Sequence, residues 1–414
     1  MTHRFPVFLV LVFSLAAQTP EQVVANPQMK TAIQSIRINN AWTIQQQVSI
    51  CEIAAPPFHE AERGKEFARR LTTLGLQDVH IDSEGNVIGK LPGSSSPKPL
   101  TVLSAHLDTV FPEGMDVRVR QEGKRLHGLG IGDDCRGLAV VLAVAKAFQE
   151  AKVKLKGTVL FVATVGEEGQ GDLRGVRHLF TKELKGEVDA FISVDGTGFR
   201  VTSRGVGSNR YKVTYRGRGG HSYGAFGMPN PAHAMGRAIA RIADIQVPVS
   251  PKTTFNVGTV QGGTSVNSVP IEVSMELDIR SESAKELAAV DERLRAALQY
   301  GLDAEKKRWP DSKAPIELEI KTMGLRPAAD PGDEVPIVQK ALAAAKASGV
   351  VILATGSGST DSNIPMSLGI QAVTIGGGGA SPNAHSIDEW FEEREDGYKA
   401  PQWAALLVAM LAGV

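Results

Sequence analysis

Residues 158–168 read TVLFVATVGEE. A run of β-branched and apolar residues, Thr158–Thr164, ends in a glycine and two adjacent glutamates. So short and evenly apolar a run predicts a strand buried on both faces, as strands of parallel sheets are. The same pattern recurs along the chain. TVLSA at 101–105 is followed by His106-Leu107-Asp108, AFISV at 190–194 by Asp195, and Gln371–Ile375 by a glycine run and then His385. Between them, residues 137–149 (GLAVVLAVAKAFQ) predict a strongly apolar helix. Strands alternating with helices predict an α/β fold on a largely parallel sheet. In such open sheets ligands bind beyond the carboxyl ends of the strands. Four strand ends therefore deliver His, Asp or Glu to one edge.

Working outward, Ala32–Glu52 and Ala61–Leu74 have helical composition, and Val79–Ile81 and Val87–Lys90 read as short strands around Glu84-Gly85-Asn86. Near Ser208 the texture changes. Arg210–Arg216 alternates, as a strand with one solvated face does. A helix at Asn230–Ile245, strands at Thr253–Val260 and Ile271–Arg280, a helix at Ala284–Leu302 and a strand at Ile316–Lys321 follow. That order, β-α-β-β-α-β, predicts an inserted ferredoxin-like unit over 208–322. It divides the main domain into 19–207 and 323–414. The α/β pattern resumes with a helix at Glu334–Ala347, strands at Val350–Leu353 and Gln371–Ile375, and a closing helix at Tyr398–Leu411.

Composition limits the function. The chain has 414 residues, with 45 basic and 45 acidic side chains. Zero net charge argues against a nucleic-acid partner. Two cysteines cannot staple a chain of this length, and Cys51 and Cys135 are expected as unpaired thiols. The opening MTHRFPVFLVLVFSLAAQ has a short basic start, an apolar stretch and small residues after it, which predicts a signal peptide over 1–18 and a secreted or periplasmic protein without a membrane anchor. Glycine makes up 43 residues, clustered beside the chemically loaded segments, as tight ligand-bearing loops require. The glycines at 376–379 lack the Lys-Ser/Thr of a phosphate loop, and no serine sits in a GxSxG turn.

His106, Asp133, Glu167, Glu168, Asp195 and His385 form a set of nitrogen and oxygen donors suited to a divalent metal. The set exceeds what one tetrahedral ion needs. It fits two ions sharing a carboxylate, ~3.5–4 Å apart, which hold a hydroxide and polarise a carbonyl. In that arrangement one of the adjacent glutamates ligates while the other takes a proton.

Together, His106-x-Asp108, Gly132-Asp133-Asp134, Glu167-Glu168, Asp195 and His385 resemble the signature of the cocatalytic-zinc exopeptidases. That family includes tripeptidase T, glutamate carboxypeptidase, aminoacylase-1 and succinyl-diaminopimelate desuccinylase. ISVDGTGFRVTSRGVG (192–207) is most similar to the tripeptidase T branch. The resemblance implies that His106 and Asp195 hold one ion, Glu168 and His385 the other, and that Asp133 bridges them. It implies Glu167 as general base and Asp108 as the group orienting His106 through its second ring nitrogen. A cis peptide after Asp133 is a family habit. Asp133-Asp134-Cys135-Arg136 departs from the family's usual Asp-Asp-Lys or Asp-Met-Lys. In the inserted unit the resemblance makes His221 an oxyanion stabiliser and Asn267 and Arg280 substrate binders. Ser359 and Thr360, in the loop Gly356–Asp361, would line the cleft.

The resulting expectation is a dizinc exopeptidase of small peptides (Co2+ or Mn2+ being the alternative metals) that dimerises through the inserted lid. An N-acyl-amino-acid deacylase or carboxypeptidase of the same family is the alternative, and a non-catalytic binding protein of the same fold a remote one.

Overall fold

The computed structural model describes residues 18–414; the expected signal peptide lies outside them except for Gln18. Eight strands form the larger sheet. Its four central strands, Thr158–Thr164, Leu100–His106, Ala190–Val194 and Gln371–Ile375, are adjacent and parallel. Antiparallel pairing enters only toward the edges. Thr158–Thr164 and Leu100–His106 are buried at every position, which explains their lack of alternation.

Successive side chains point to opposite faces of a strand. Leu103 accordingly joins the core beneath the helices Pro27–Ile38, Cys135–Glu150 and Lys399–Ala412, while Val102 joins a second core on the opposite face. The helix Cys135–Glu150 is apolar nearly all round because the sheet and other helices enclose it. Asp134 caps it, its carboxylate accepting from the Gly137 N–H at 3.0 Å.

Residues 207–326 build a separate antiparallel sheet of four strands, Thr253–Gly262, Glu272–Ser281, Gly207–Gly217 and Ile316–Arg326 in spatial order. In chain order that is second, third, first, fourth, with a helix after the first strand and another after the third. Tyr211, Val213 and Tyr215 face those helices in a core of their own, and the Tyr215 hydroxyl donates to the Leu298 carbonyl at 2.7 Å. Arg216, on the other face, pairs with Glu272 at 2.8 Å.

Sequence and structure differ in places. Val350–Leu353 is not a strand; the strand is Thr355–Gly358, and Leu353 is 95 % exposed. The segment 350–354 passes outside the sheet before pairing with Val201–Gly205 begins at Thr355. Neither of these paired strands has the apolar run that marks the central ones. Ala32–Glu52 is broken at Asn39 between the helices Pro27–Ile38 and Asn40–Cys51. Cys51 and Cys135 are buried, unpaired thiols. Among the described residues no helix is long and apolar enough to cross a membrane.

Candidate metal centre

The carboxyl edge of the large sheet gathers six titratable side chains. His106, Asp133 and Asp195 present donor atoms within 4.8 Å of one another, and so do Asp133, Glu168 and His385. Asp133 belongs to both groups, and its two oxygens divide between them. Oδ1 lies 3.0 Å from His106 Nε2, and Oδ2 lies 3.2 Å from His385 Nε2. His385 Nε2 also meets Glu168 Oε1 at 2.8 Å. A third grouping joins His106, Glu167 and Glu168.

Main-chain hydrogen bonds hold this edge in place. His106 Nδ1 lies 3.0 Å from the Asp108 carbonyl oxygen, which can only accept. Nδ1 therefore carries a proton, and Nε2, which donates to the Asp133 carboxylate at 3.0 Å, is the nitrogen that would turn a lone pair to a cation once its own proton is displaced. The Asp108 carboxylate serves a different purpose. It stands 3.7 Å from Nδ1 and accepts the N–H groups of Glu167 and Glu168 at 3.0 and 2.8 Å. Asp108 thus orients His106 with its main chain and fixes the paired glutamates with its side chain.

Three organising residues were not legible in the sequence. Asp134 accepts from the His106 N–H at 3.2 Å and the Gly196 N–H at 3.3 Å, linking three donor-bearing segments. Its peptide with Asp133 is cis. Glu389 is buried and accepts from Gly130 and Gly132 at 3.0 and 2.9 Å, tying the loop before Asp133 to the segment carrying His385. Arg326 donates to Glu167 Oε1 at 3.2 Å. Asp134 could have been read as a helix cap. Glu389 and Arg326 carry no local signal, since their partners are remote in the chain.

The electrostatics suit a cationic occupant. Four carboxylates converge with two imidazoles. Burial pushes Asp195 up to about 6, with the charge of Asp133 adding to it. Burial also raises Glu167 well above the usual carboxylate range, against the pull of Arg326. Hydrogen bonds to Asp133 and Glu168 push His385 up to about 10. Burial opposes ionisation of Asp133, but its bonds to His106 and His385 outweigh that and keep the carboxyl well below its ordinary range. The cluster holds more carboxylates than imidazoles, and its donors are the oxygen and nitrogen types that borderline divalent ions take. One carboxylate offering an oxygen to each group completes the fit to two ions.

Other expected site residues lie elsewhere. His221 Nδ1 accepts from the Tyr223 and Gly224 N–H groups at 3.3 Å, Asn267 Oδ1 accepts from the Ser265 hydroxyl at 2.5 Å, and Arg280 pairs with Asp278 at 2.8 Å. Among the described residues, none of the three bonds to the cluster. Ser359 accepts from Arg326 at 3.1 Å. Thr360 turns inward, its hydroxyl 2.8 Å from that of Thr374, and so is engaged within the protein rather than presented to a cleft.

Comparison with known proteins agrees with this geometry. The chain matches peptidase family M20/M25/M40 over residues 102–409 and belongs to that family. Carboxypeptidase G2 of Pseudomonas sp. (strain RS-16) is 28 % identical over 302 residues, covering 70 % of this chain and 69 % of that protein. The crystal structure of aminopeptidase PepT from Bacillus cereus superposes with a TM-score of 0.72 at 21 % identity, covering 91 % of this chain and 99 % of the other. A dinuclear metal-binding M20 peptidase from Bacillus subtilis superposes at 0.67 with 18 % identity, covering 91 % and 99 %. The protein is a metallopeptidase-type hydrolase of peptide-like substrates, and the donor cluster at its sheet edge is the candidate metal site.

Proposed function

We propose that this member of family M20/M25/M40 is an exported dizinc exopeptidase that removes residues from small peptides in the manner of an aminopeptidase or tripeptidase. The observation that carries the reading is the shared carboxylate of Asp133, set between His106 with Asp195 on one side and Glu168 with His385 on the other. When bound, two divalent cations supply Lewis acidity toward a scissile carbonyl and acidify water.

The chain's own residues do the rest. Glu167 is buried beside the cluster, and burial raises its affinity for a proton, as a general base requires. Arg326 engages Oε1, so Oε2 is the oxygen that takes the proton from the attacking water and passes it to the departing amine. Asp108 keeps Glu167 and Glu168 apart in role by pinning their main chain. In this reading residues 208–322 act as a lid that brings His221, Asn267 and Arg280 to the substrate, with a second copy of the chain docked through the same unit. The mass in solution by light scattering tests the dimer, and N-terminal sequencing of protein recovered outside the cytoplasm tests the export signal.

A carboxypeptidase or N-acyl-amino-acid deacylase uses the same chemistry at the cluster. The likeness to carboxypeptidase G2 favours keeping that second reading. The decisive experiment reconstitutes Glu167→Gln and the unmodified protein with zinc and assays both on free and N-acylated di- and tripeptides. The variant should retain metal and lose roughly 10²–10⁴-fold in kcat. Full activity in the variant would discard the mechanism. Faster hydrolysis of acylated than of free-amine substrates would replace the aminopeptidase reading by the second one.

A further inference from the structure

Two chain crossings join the smaller unit to the large sheet, and they run side by side. The strand Gly207–Gly217 begins at one crossing, Ile316–Arg326 ends at the other, and Ser208 pairs with Arg326. Just beyond, Gly205 and Ala329 exchange both main-chain hydrogen bonds, at 2.7 and 2.9 Å. Buried Asn363 binds the two crossings together: its Nδ2 donates to the carbonyls of Val206 and Pro327, each at 2.9 Å. A Cβ on Gly205 would approach the Asn363 amide carbon to 2.9 Å, so glycine permits this close packing. The two crossings therefore form one paired, hydrogen-bonded junction between the units.

Arg326 is the last residue of its strand before the return crossing, and its side chain is 5 % exposed. Nη1 donates to Glu167 Oε1 at 3.2 Å and to the Ser359 hydroxyl at 3.1 Å, while Nη2 donates to the Glu167 carbonyl oxygen. The same segment is tied to the base of the smaller unit at two further points. The Asp172 carboxylate accepts from the Leu325 N–H at 2.9 and 3.0 Å, and Arg210 Nη1 donates to the Gly169 carbonyl at 3.2 Å. The backbone that carries Glu167 and Glu168 is therefore bonded to the smaller unit beside this junction, and only Arg326 among these links reaches the reacting carboxylate.

We propose that Arg326, at the end of the smaller unit's last strand, is the positioning residue for Glu167. The inference rests on Glu167 being the proton acceptor. Its physical content is the fork: a planar guanidinium holds a carboxylate, a carbonyl and a hydroxyl at once, which an ammonium cannot reproduce. A bond that only balanced buried charge would be served nearly as well by lysine.

The test compares Arg326→Lys, Arg326→Ala and Glu167→Gln with the unmodified zinc-reconstituted protein, using a tripeptide substrate and measuring kcat, KM and metal content. Both Arg326 variants should keep the metal content of the unmodified protein. Their kcat should fall roughly ten- to a hundredfold, as expected for a misplaced catalytic group, with KM within about threefold. Added methylguanidinium should restore part of the lost kcat of Arg326→Ala. Unchanged kcat in Arg326→Lys, or a raised KM at constant kcat, overturns the inference, and Arg326→Lys decides alone if the alanine variant does not fold. If Glu167→Gln is inactive while the Arg326 variants keep full kcat, only this inference fails. If Glu167→Gln is itself fully active, the reading of Glu167 as the base fails first.

Discussion

The carboxyl edge of the large sheet and the outer face of the smaller unit hold their polar residues in opposite ways. At the sheet edge, His106, Glu167, Glu168 and Asp195 are each under 10 % exposed, and remote main-chain N–H groups fix the carboxylates around them. In the smaller unit, His221 and Asn267 are exposed, and among the described residues their side chains bond only to residues within three positions of themselves. Burying charge is costly unless it is paired, so the edge must be rigidly built before any ligand arrives. The exposed residues bear no such constraint; under the proposed function, movement of the smaller unit or a second copy would have to bring them to a substrate. Under the proposed function, metal uptake belongs to the large sheet alone, whereas turnover needs both regions.

The largest expected effect comes from removing the carboxylate that the two donor groups share. Asp133→Ala should lose most bound metal, measured by mass spectrometry after dialysis. Its activity should fall by more than the ~10–100-fold typical of changes to groups behind the ligands. Asp133→Ala with the metal content of the unmodified protein would mean that the two groups do not share a ligand, and the contrast between the regions would lose its basis.

His221→Ala probes the other region. Metal content should be unchanged, because His221 bonds to nothing in the cluster. If it reaches the substrate during turnover, kcat should fall about 10²–10³-fold, the usual cost of losing an oxyanion donor. Loss of metal in this variant would show that the smaller unit helps to build the site. No change in kcat would confine the chemistry to the sheet edge.

The same contrast governs what could be read from the sequence. His106, Glu167 and Asp195 stand out because each follows a uniformly apolar strand, and the fold turns adjacent strand ends into neighbours in space. Periodicity of four strands and two helices in the smaller unit was equally visible. The supporting residues were not, because their partners are set by folding. Glu389 binds Gly130 across 259 positions and Arg326 binds Glu167 across 159. The strand Thr355–Gly358 reads TGSG and carries no hydrophobic signal; its pairing with Val201–Gly205 alone makes it a strand. The apolar run beside it, at 350–353, was the more persuasive strand on paper but has no partner there. For Thr360 the family resemblance implies a place lining the cleft, whereas its hydroxyl lies 2.8 Å from that of Thr374, which also meets the Ser362 hydroxyl at 2.7 Å.

The smallest effect concerns Asp361, which lies behind the cluster and shows what its buried charge costs. The side chain is 1 % exposed, Oδ2 accepts from the Thr164 hydroxyl at 2.5 Å, and Oδ1 has no hydrogen-bond partner among the described residues. Burial pushes its carboxyl up to about 7, from an ordinary value near 4. Between those values the folded chain binds more protons than the unfolded one, so this group makes stability fall as pH rises from about 4 to about 7 and level off above. Asp361→Asn removes that slope. Relative to the unmodified chain, it should gain roughly 1–3 kcal/mol on going from pH 5 to pH 8. Denaturant unfolding in the presence of a chelator measures the difference, since a nearby bound cation would keep the carboxyl ionised and mask the effect. An equal change in both proteins between the two pH values would mean that Asp361 is already ionised in the folded chain, its unpartnered oxygen solvated. The buried edge would then be wetter, and closer to the exposed region in character, than its packing indicates.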